Sequence, residues 1–175
     1  MHKPLSKKEI KKLNEKALKD IKNNYDIVVL LQDVVDPINV GSIFRTADAF
    51  GIKKVVLTNM SPKPPDPAIS MTARGLEKKI KWEYFSKAED AISSLREDGY
   101  QIVAVELTED SVFYGSADFS EKVCLVLGNE ASGVYKKILK LCDIAVHIPM
   151  LGKGPSLNVN VAGAIVLGEI MRRSA

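Results

Sequence analysis

The chain is poor in the residues that build most familiar reactive centres. Of its 175 residues only two are histidine and two are cysteine. His2 lies in a lysine-rich N-terminal stretch and His147 inside an apolar run, so no Ser-His-Asp set can be assembled. Cys124 and Cys142 sit far apart in apolar surroundings and match neither a disulfide framework nor a C-x-x-C metal pattern. A reduced, cytoplasmic protein without a metal site is the expectation. No apolar run approaches the roughly 20 residues of a membrane-spanning helix. The first 24 residues lack a signal peptide's apolar region. The glycine-rich loops meet neither Walker A spacing nor the third glycine of a dinucleotide fingerprint, which makes nucleotide-dependent redox chemistry remote. Chemistry then falls to Arg, Glu, Ser and Asn acting with an organic cofactor.

Hydrophobic residues make up 46% and charged residues 27%, the balance of a globular chain long enough for one domain with a core. The net charge of +3 is unevenly placed: residues 1–24 hold eight lysines against three acids, and the remainder holds 17 basic and 19 acidic side chains. A basic arm on a near-neutral domain suits a polyanionic partner, and it equally suits a solvated helix face. Ser6-x-x-Glu9 is a capping box, and Ile10, Leu13, Ala17 and Ile21 repeat at helical spacing. Residues 1–24 therefore read as a basic N-terminal helix that docks on something, and residues 25–175 as the domain.

Past the arm, strands are expected at 26–31, 53–58, 81–85, 100–107, 122–128 and 143–150, and those at 26–31, 100–107 and 122–128 are buried-strand runs. Helical patterns fall at 39–51, 67–75, 87–98, 131–141 and 157–173. This alternation predicts an α/β fold, a mostly parallel sheet flanked by helices. A loop containing Pro62, Pro64, Pro65 and Pro67 interrupts it.

Ligands of open α/β sheets bind beyond the carboxyl ends of the strands, and three strand-to-helix junctions are unusual. In "NVGSIFRTADAFG" (39–51), Asn39 occupies an N-cap position, and Arg45 with Asp48 suits a surface ion pair. In "LVLGNEASGV" (125–134), Asn129 and Glu130 follow Gly128 at the mouth of a helix, a comfortable place for an acid. In "IPMLGKGPSLNVNVAGAIVLGEI" (148–170), Ser156 and Asn158 open a helix that is apolar nearly all round. Such a helix is buried, in a chain this short partly by a second subunit, and Asn158 and Asn160 at its end need partners.

Together these stretches resemble the three motifs of the SpoU (TrmH-like) class of RNA ribose methyltransferases, in the SPOUT superfamily. Asn39, Gly41, Ser42, Arg45, Ala47, Phe50 and Gly51 carry the first motif. Leu125, Gly128, Asn129, Glu130 and Gly133 carry the second. Ile148, Pro149, Met150, Ser156, Leu157, Asn158, Val159 and Ala162 carry the third. They occur in order over roughly residues 26–173. Residue 160 is Asn where many relatives have Ser.

The resemblance implies a Rossmann-like sheet with a C-terminal trefoil knot, S-adenosyl-L-methionine as cofactor, a homodimer whose sites are completed across the interface, and RNA as partner, tRNA before rRNA. It implies that Arg45, Asn39, Glu130, Ser156 and Asn158 serve catalysis. It further implies that Leu107, Gly128, Ile148, Met150, Ser156 and Leu157 hold the cofactor. A catalytically inactive knotted module binding RNA or cofactor is the alternative. A dead module would be expected to lose at least one of Arg45, Glu130, Ser156 and Asn158.

Overall fold

The computed structural model describes residues 4–20 and 25–173. Helix α1 (Lys7–Asp20) precedes the domain. Its capping box forms as expected: Glu9 accepts from the Ser6 amide at 2.7 Å and the Ser6 hydroxyl at 2.5 Å. The docking face does not close over it, because Ile10 and Leu13 are 45% and 56% exposed. Ile21 lies outside the described residues.

The domain runs β1 (Asp26–Leu31), α2 (Pro37–Ala49), β2 (Lys54–Thr58), α3 (Pro67–Ala73), a 3₁₀ turn (Leu76–Lys78), β3 (Trp82–Phe85) and α4 (Ala88–Glu97). It continues with β4 (Gln101–Val105), β5 (Val112–Phe113), β6 (Lys122–Leu127), α5 (Lys136–Leu139), β7 (Ile144–His147) and α6 (Val159–Arg172). The strands form one sheet in the order β3-β2-β1-β6-β4-β7-β5. Every pairing is parallel.

Alternate residues of one strand serve two cores, which explains the unbroken apolar runs. In β1, Ile27, Val29 and Leu31 face a core shared with Val40 and Phe44 of α2, Ile69 of α3, and Leu167 and Ile170 of α6. Val28 and Leu30 face the opposite core, with Ile92 and Leu95 of α4 and Ile138 of α5. Burying each such side chain contributes about 1.5–3 kcal/mol.

Two expectations need correction. The predicted helix over 131–141 shrinks to α5, because Asn129 Oδ1 accepts from the Ala131 and Ser132 amides and the Asn129–Gly133 backbone pair closes a tight loop. Gly133 takes φ +63° there, which side chains rarely adopt. The strand predicted over 143–150 spans only 144–147, and an additional edge strand, β5, pairs with it. Among the described residues no helix is long and apolar enough to cross a membrane, and no cluster of three His, Cys, Asp or Glu is placed to hold a metal ion.

Candidate active site

The loops after β4, β6 and β7, with the entry to α6, converge at the carboxyl end of the sheet. They enclose a cavity of about 420 Å³, inside the roughly 300–1,000 Å³ range of small-molecule pockets. All six residues expected to hold a cofactor line it: Leu107, Gly128, Ile148, Met150, Ser156 and Leu157. Leu107 stands 70% exposed at its edge, apolar surface without cover. Gly128 permits the narrow neck beside it, since a Cβ there would fall 2.2 Å from the Gly133 carbonyl carbon.

One wall is tied together by a short chain of hydrogen bonds. Glu130, on the loop after β6, accepts from the Val35 and Asp36 amides at 3.0 and 3.1 Å and from Asn39 Nδ2 at 2.9 Å. Asn39 Oδ1 in turn accepts from Asn158 Nδ2 at 2.9 Å. Asn158 Oδ1 is then free to cap α6, accepting from the Asn160 amide at 2.9 Å. The expected partners of both asparagines are thereby found: Asn160 Oδ1 accepts from Thr46 Oγ1 at 2.7 Å. Partial burial raises the proton affinity of Glu130, but the bonds from Asn39 and the Val35 and Asp36 amides outweigh it and hold the carboxyl below its ordinary range.

This arrangement revises two local readings. Asn39 is not the N-cap of α2; it lies inside the helix at 7% exposure. Asp36 caps instead, its carboxylate accepting from the Ile38 amide at 2.8 Å, with Pro37 in the first turn. Glu130 is stabilised by amides at the start of α2, not by a helix of its own, since α5 begins only at Lys136.

Arg45 stands apart. It does not line the cavity, it is exposed, and among the described residues its guanidinium has no ion pair or hydrogen bond. The expected pair with Asp48 does not form. Ser42 is spent locally, its hydroxyl donating to the Ile38 carbonyl at 2.8 Å. Thus Asn39, Glu130 and Asn158 come together, Ser156 joins Glu130 and Asn158 on the cavity, and Arg45 does not.

No sequence pattern marks Glu106. Its carboxylate accepts from the Leu107 amide at 3.0 Å and the Val134 amide at 2.7 Å, bridging the loops after β4 and β6. It occupies the space of the side chain Gly133 lacks: a Cβ at 133 would lie 2.1 Å from Glu106 Oε2. No spacing rule announces this contact. The Asp36 cap, by contrast, is announced by Asp-Pro before a helical stripe. His147 also borders the cavity, its Nδ1 3.1 Å from Ser111 Oγ.

Comparison with known proteins gives a consistent result. The profile of the SpoU rRNA Methylase family matches residues 26–168. A tRNA (guanosine(18)-2'-O)-methyltransferase of Thermus thermophilus is 34% identical over 148 residues, 85% of this chain and 75% of the relative. Among solved structures, an AdoMet-bound rRNA methyltransferase from Sinorhizobium meliloti superposes with TM-score 0.80 at 32% identity, covering 90% of this chain and 60% of that one. A TrmH/SpoU tRNA modifying enzyme of A. aeolicus superposes with TM-score 0.77 at 30% identity, covering 92% and 84%. The match spans the whole sheet and all three junctions that frame the cavity, and on that footing the chain belongs to the SpoU methylase family.

Proposed function

We propose that this chain transfers a methyl group from S-adenosylmethionine to a ribose 2′-hydroxyl of RNA, with tRNA as the favoured substrate and a homodimer as the working unit. The observation that carries the reading is the cavity at the sheet's carboxyl end, with Glu130 and Asn158 on its wall and Asn39 bound to both. The residues present fit the cofactor. Leu107, Ile148, Met150 and Leu157 offer apolar surface to a purine ring, in a space of suitable volume. When bound, S-adenosylmethionine supplies an electrophilic methyl group on a sulfonium whose charge is cancelled by attack.

The chain's own task is to ready a poor nucleophile, a hydroxyl whose pKa lies far above 7. Arg45 is assigned to the developing alkoxide. A guanidinium keeps its protons in proteins, so it serves by donating hydrogen bonds to the growing negative charge while the hydroxyl proton passes to solvent. Asn39, Glu130 and Asn158 hold one wall rigid and orient the ribose, and Ser156 with Leu157 shapes the cofactor side.

The position of Arg45 outside its own chain's cavity favours completion of the site by a second copy. So does α6: Val161 is 43% exposed, and nothing stands within 4 Å of where a Gly168 side chain would begin. Threading of the C-terminal segment into a trefoil knot and a cytoplasmic setting belong to the same reading. The α1 lysines extend it towards a polyanionic substrate. An inactive binding module is disfavoured by the joint presence of Arg45, Glu130, Ser156 and Asn158.

Incubation with methyl-labelled cofactor and total tRNA or rRNA, followed by mapping of ribose 2′-O-methyl groups, tests the proposal. Label at one ribose position is the expected result. Binding of cofactor and RNA with no transfer to either pool would establish the inactive module instead.

A further inference from the structure

The edge of the sheet at β3 carries a charge pattern that the cavity does not use. Lys63, Arg74, Lys78, Lys79 and Lys81 are all exposed. Among the described residues none of them has an ion pair or a side-chain hydrogen bond, although Lys63 Nζ sits 3.9 Å from the centre of the Tyr84 ring.

The acids of this edge are each engaged locally. Asp66 caps α3, accepting from the Ala68 and Ile69 amides at 2.8 and 3.1 Å. Glu77 is 3% exposed and accepts from Ser70 Oγ at 3.1 Å. Glu83 pairs with Lys54 at 2.8 Å. Five exposed cations without ion pairs, against two locally bonded acids and one acid already paired with Lys54, leave this edge net positive, which is how a protein attracts a polyanion.

The edge is also continuous with Arg45. Gly41 of α2 lies against α3 so closely that a Cβ would meet the Ile69 carbonyl oxygen at 2.6 Å and the Ala73 amide at 3.1 Å. Arg45 follows Gly41 by four residues, one helical turn further along the same side of α2. Arg74 and the 3₁₀ turn carrying Lys78 follow directly from Ala73.

We infer that the β3 edge, from Lys63 to Lys81, is the surface on which the phosphodiester backbone of the substrate RNA rests while one ribose reaches Arg45. This rests on the functional reading above. Each phosphate neutralised by a cation contributes about 0.7–0.9 to the slope of log affinity against log salt.

The test compares the full chain with Lys78→Gln/Lys79→Gln/Lys81→Gln and with a control, Lys136→Gln/Lys140→Gln, on the α5 side. RNA affinity is measured across a salt series, and cofactor affinity by calorimetry. The edge variant is expected to bind RNA at least tenfold more weakly at low salt, with a slope shallower by about 2. Cofactor affinity should be unchanged, and the control should match the parent. If the edge variant behaves as the control does while the parent binds and methylates RNA, this inference falls alone. A parent that binds no RNA overturns the functional reading as well.

Discussion

Asn158 donates a hydrogen bond to Asn39 at 2.9 Å across 119 positions of sequence, joining the cap of α6 to the interior of α2. Asn39 is 7% exposed and also holds Glu130. Asn39→Ala therefore removes two bonds and leaves Asn158 Nδ2 without its partner, at a cost of about 1–3 kcal/mol. Thermal unfolding should show a midpoint lower by several degrees. Asn39→Asp sets a carboxylate against Glu130, so its stability relative to Asn39→Ala should improve as pH falls from 7 to 4; an unchanged difference would refute the contact.

The lowered proton affinity of Glu130 has a definite sign in stability. Its folded-state pKa lies below the ordinary carboxyl value of 4.5, so its contribution is full above that value and is lost as acid titrates the folded form. Glu130→Gln should therefore be most destabilising near neutrality, and its stability should converge on that of the parent as pH falls below 4.5 and through the folded-state pKa. Denaturant unfolding at several pH values measures this.

Gly133→Ala meets two obstacles, a φ of +63° and the Glu106 carboxylate 2.1 Å from the new Cβ. Backbone strain of this kind costs about 1–3 kcal/mol. The carboxylate must also leave the Leu107 and Val134 amides it serves. Weaker cofactor binding should accompany the loss of stability, because both loops border the cavity. Calorimetric titration showing parental affinity would remove Glu106 from the frame of the pocket.

Arg45→Ala should leave folding and cofactor affinity near parental values, since the side chain is exposed and outside the cavity. Methyl transfer to RNA should fall to background. Substantial residual transfer would take Arg45 out of the mechanism.

The sequence disclosed the sheet because every central strand is apolar on both faces, and Val28 and Val29 do go to opposite cores. It disclosed most of the expected cavity residues because the second and third motifs keep their spacing, with Leu107 outside them. It did not disclose which atoms meet. Asn39 looked like a cap because the apolar stripe of α2 starts beside it, whereas Asp36-Pro37 begins the helix two residues earlier. Residues 131–135 looked helical because their composition allows it, but the Asn129 side chain claims the amides a helix would use. Glu106 offers no pattern at all, because both its partners are backbone amides, one of them 28 positions away.

A carboxylate can only accept, and that gives the Glu130–Asn39–Asn158 chain a direction. Asn39 must turn its amino group towards Glu130, which leaves its carbonyl oxygen facing Asn158. Asn158 must answer with its own amino group, which leaves its oxygen for the amides of α6. The negative charge on one loop thus dictates, through two successive amide orientations, how the terminal helix is seated. At the other end the α6 amides can only donate, so they hold Asn158 in the same orientation, and this wall of the cavity is fixed from both ends.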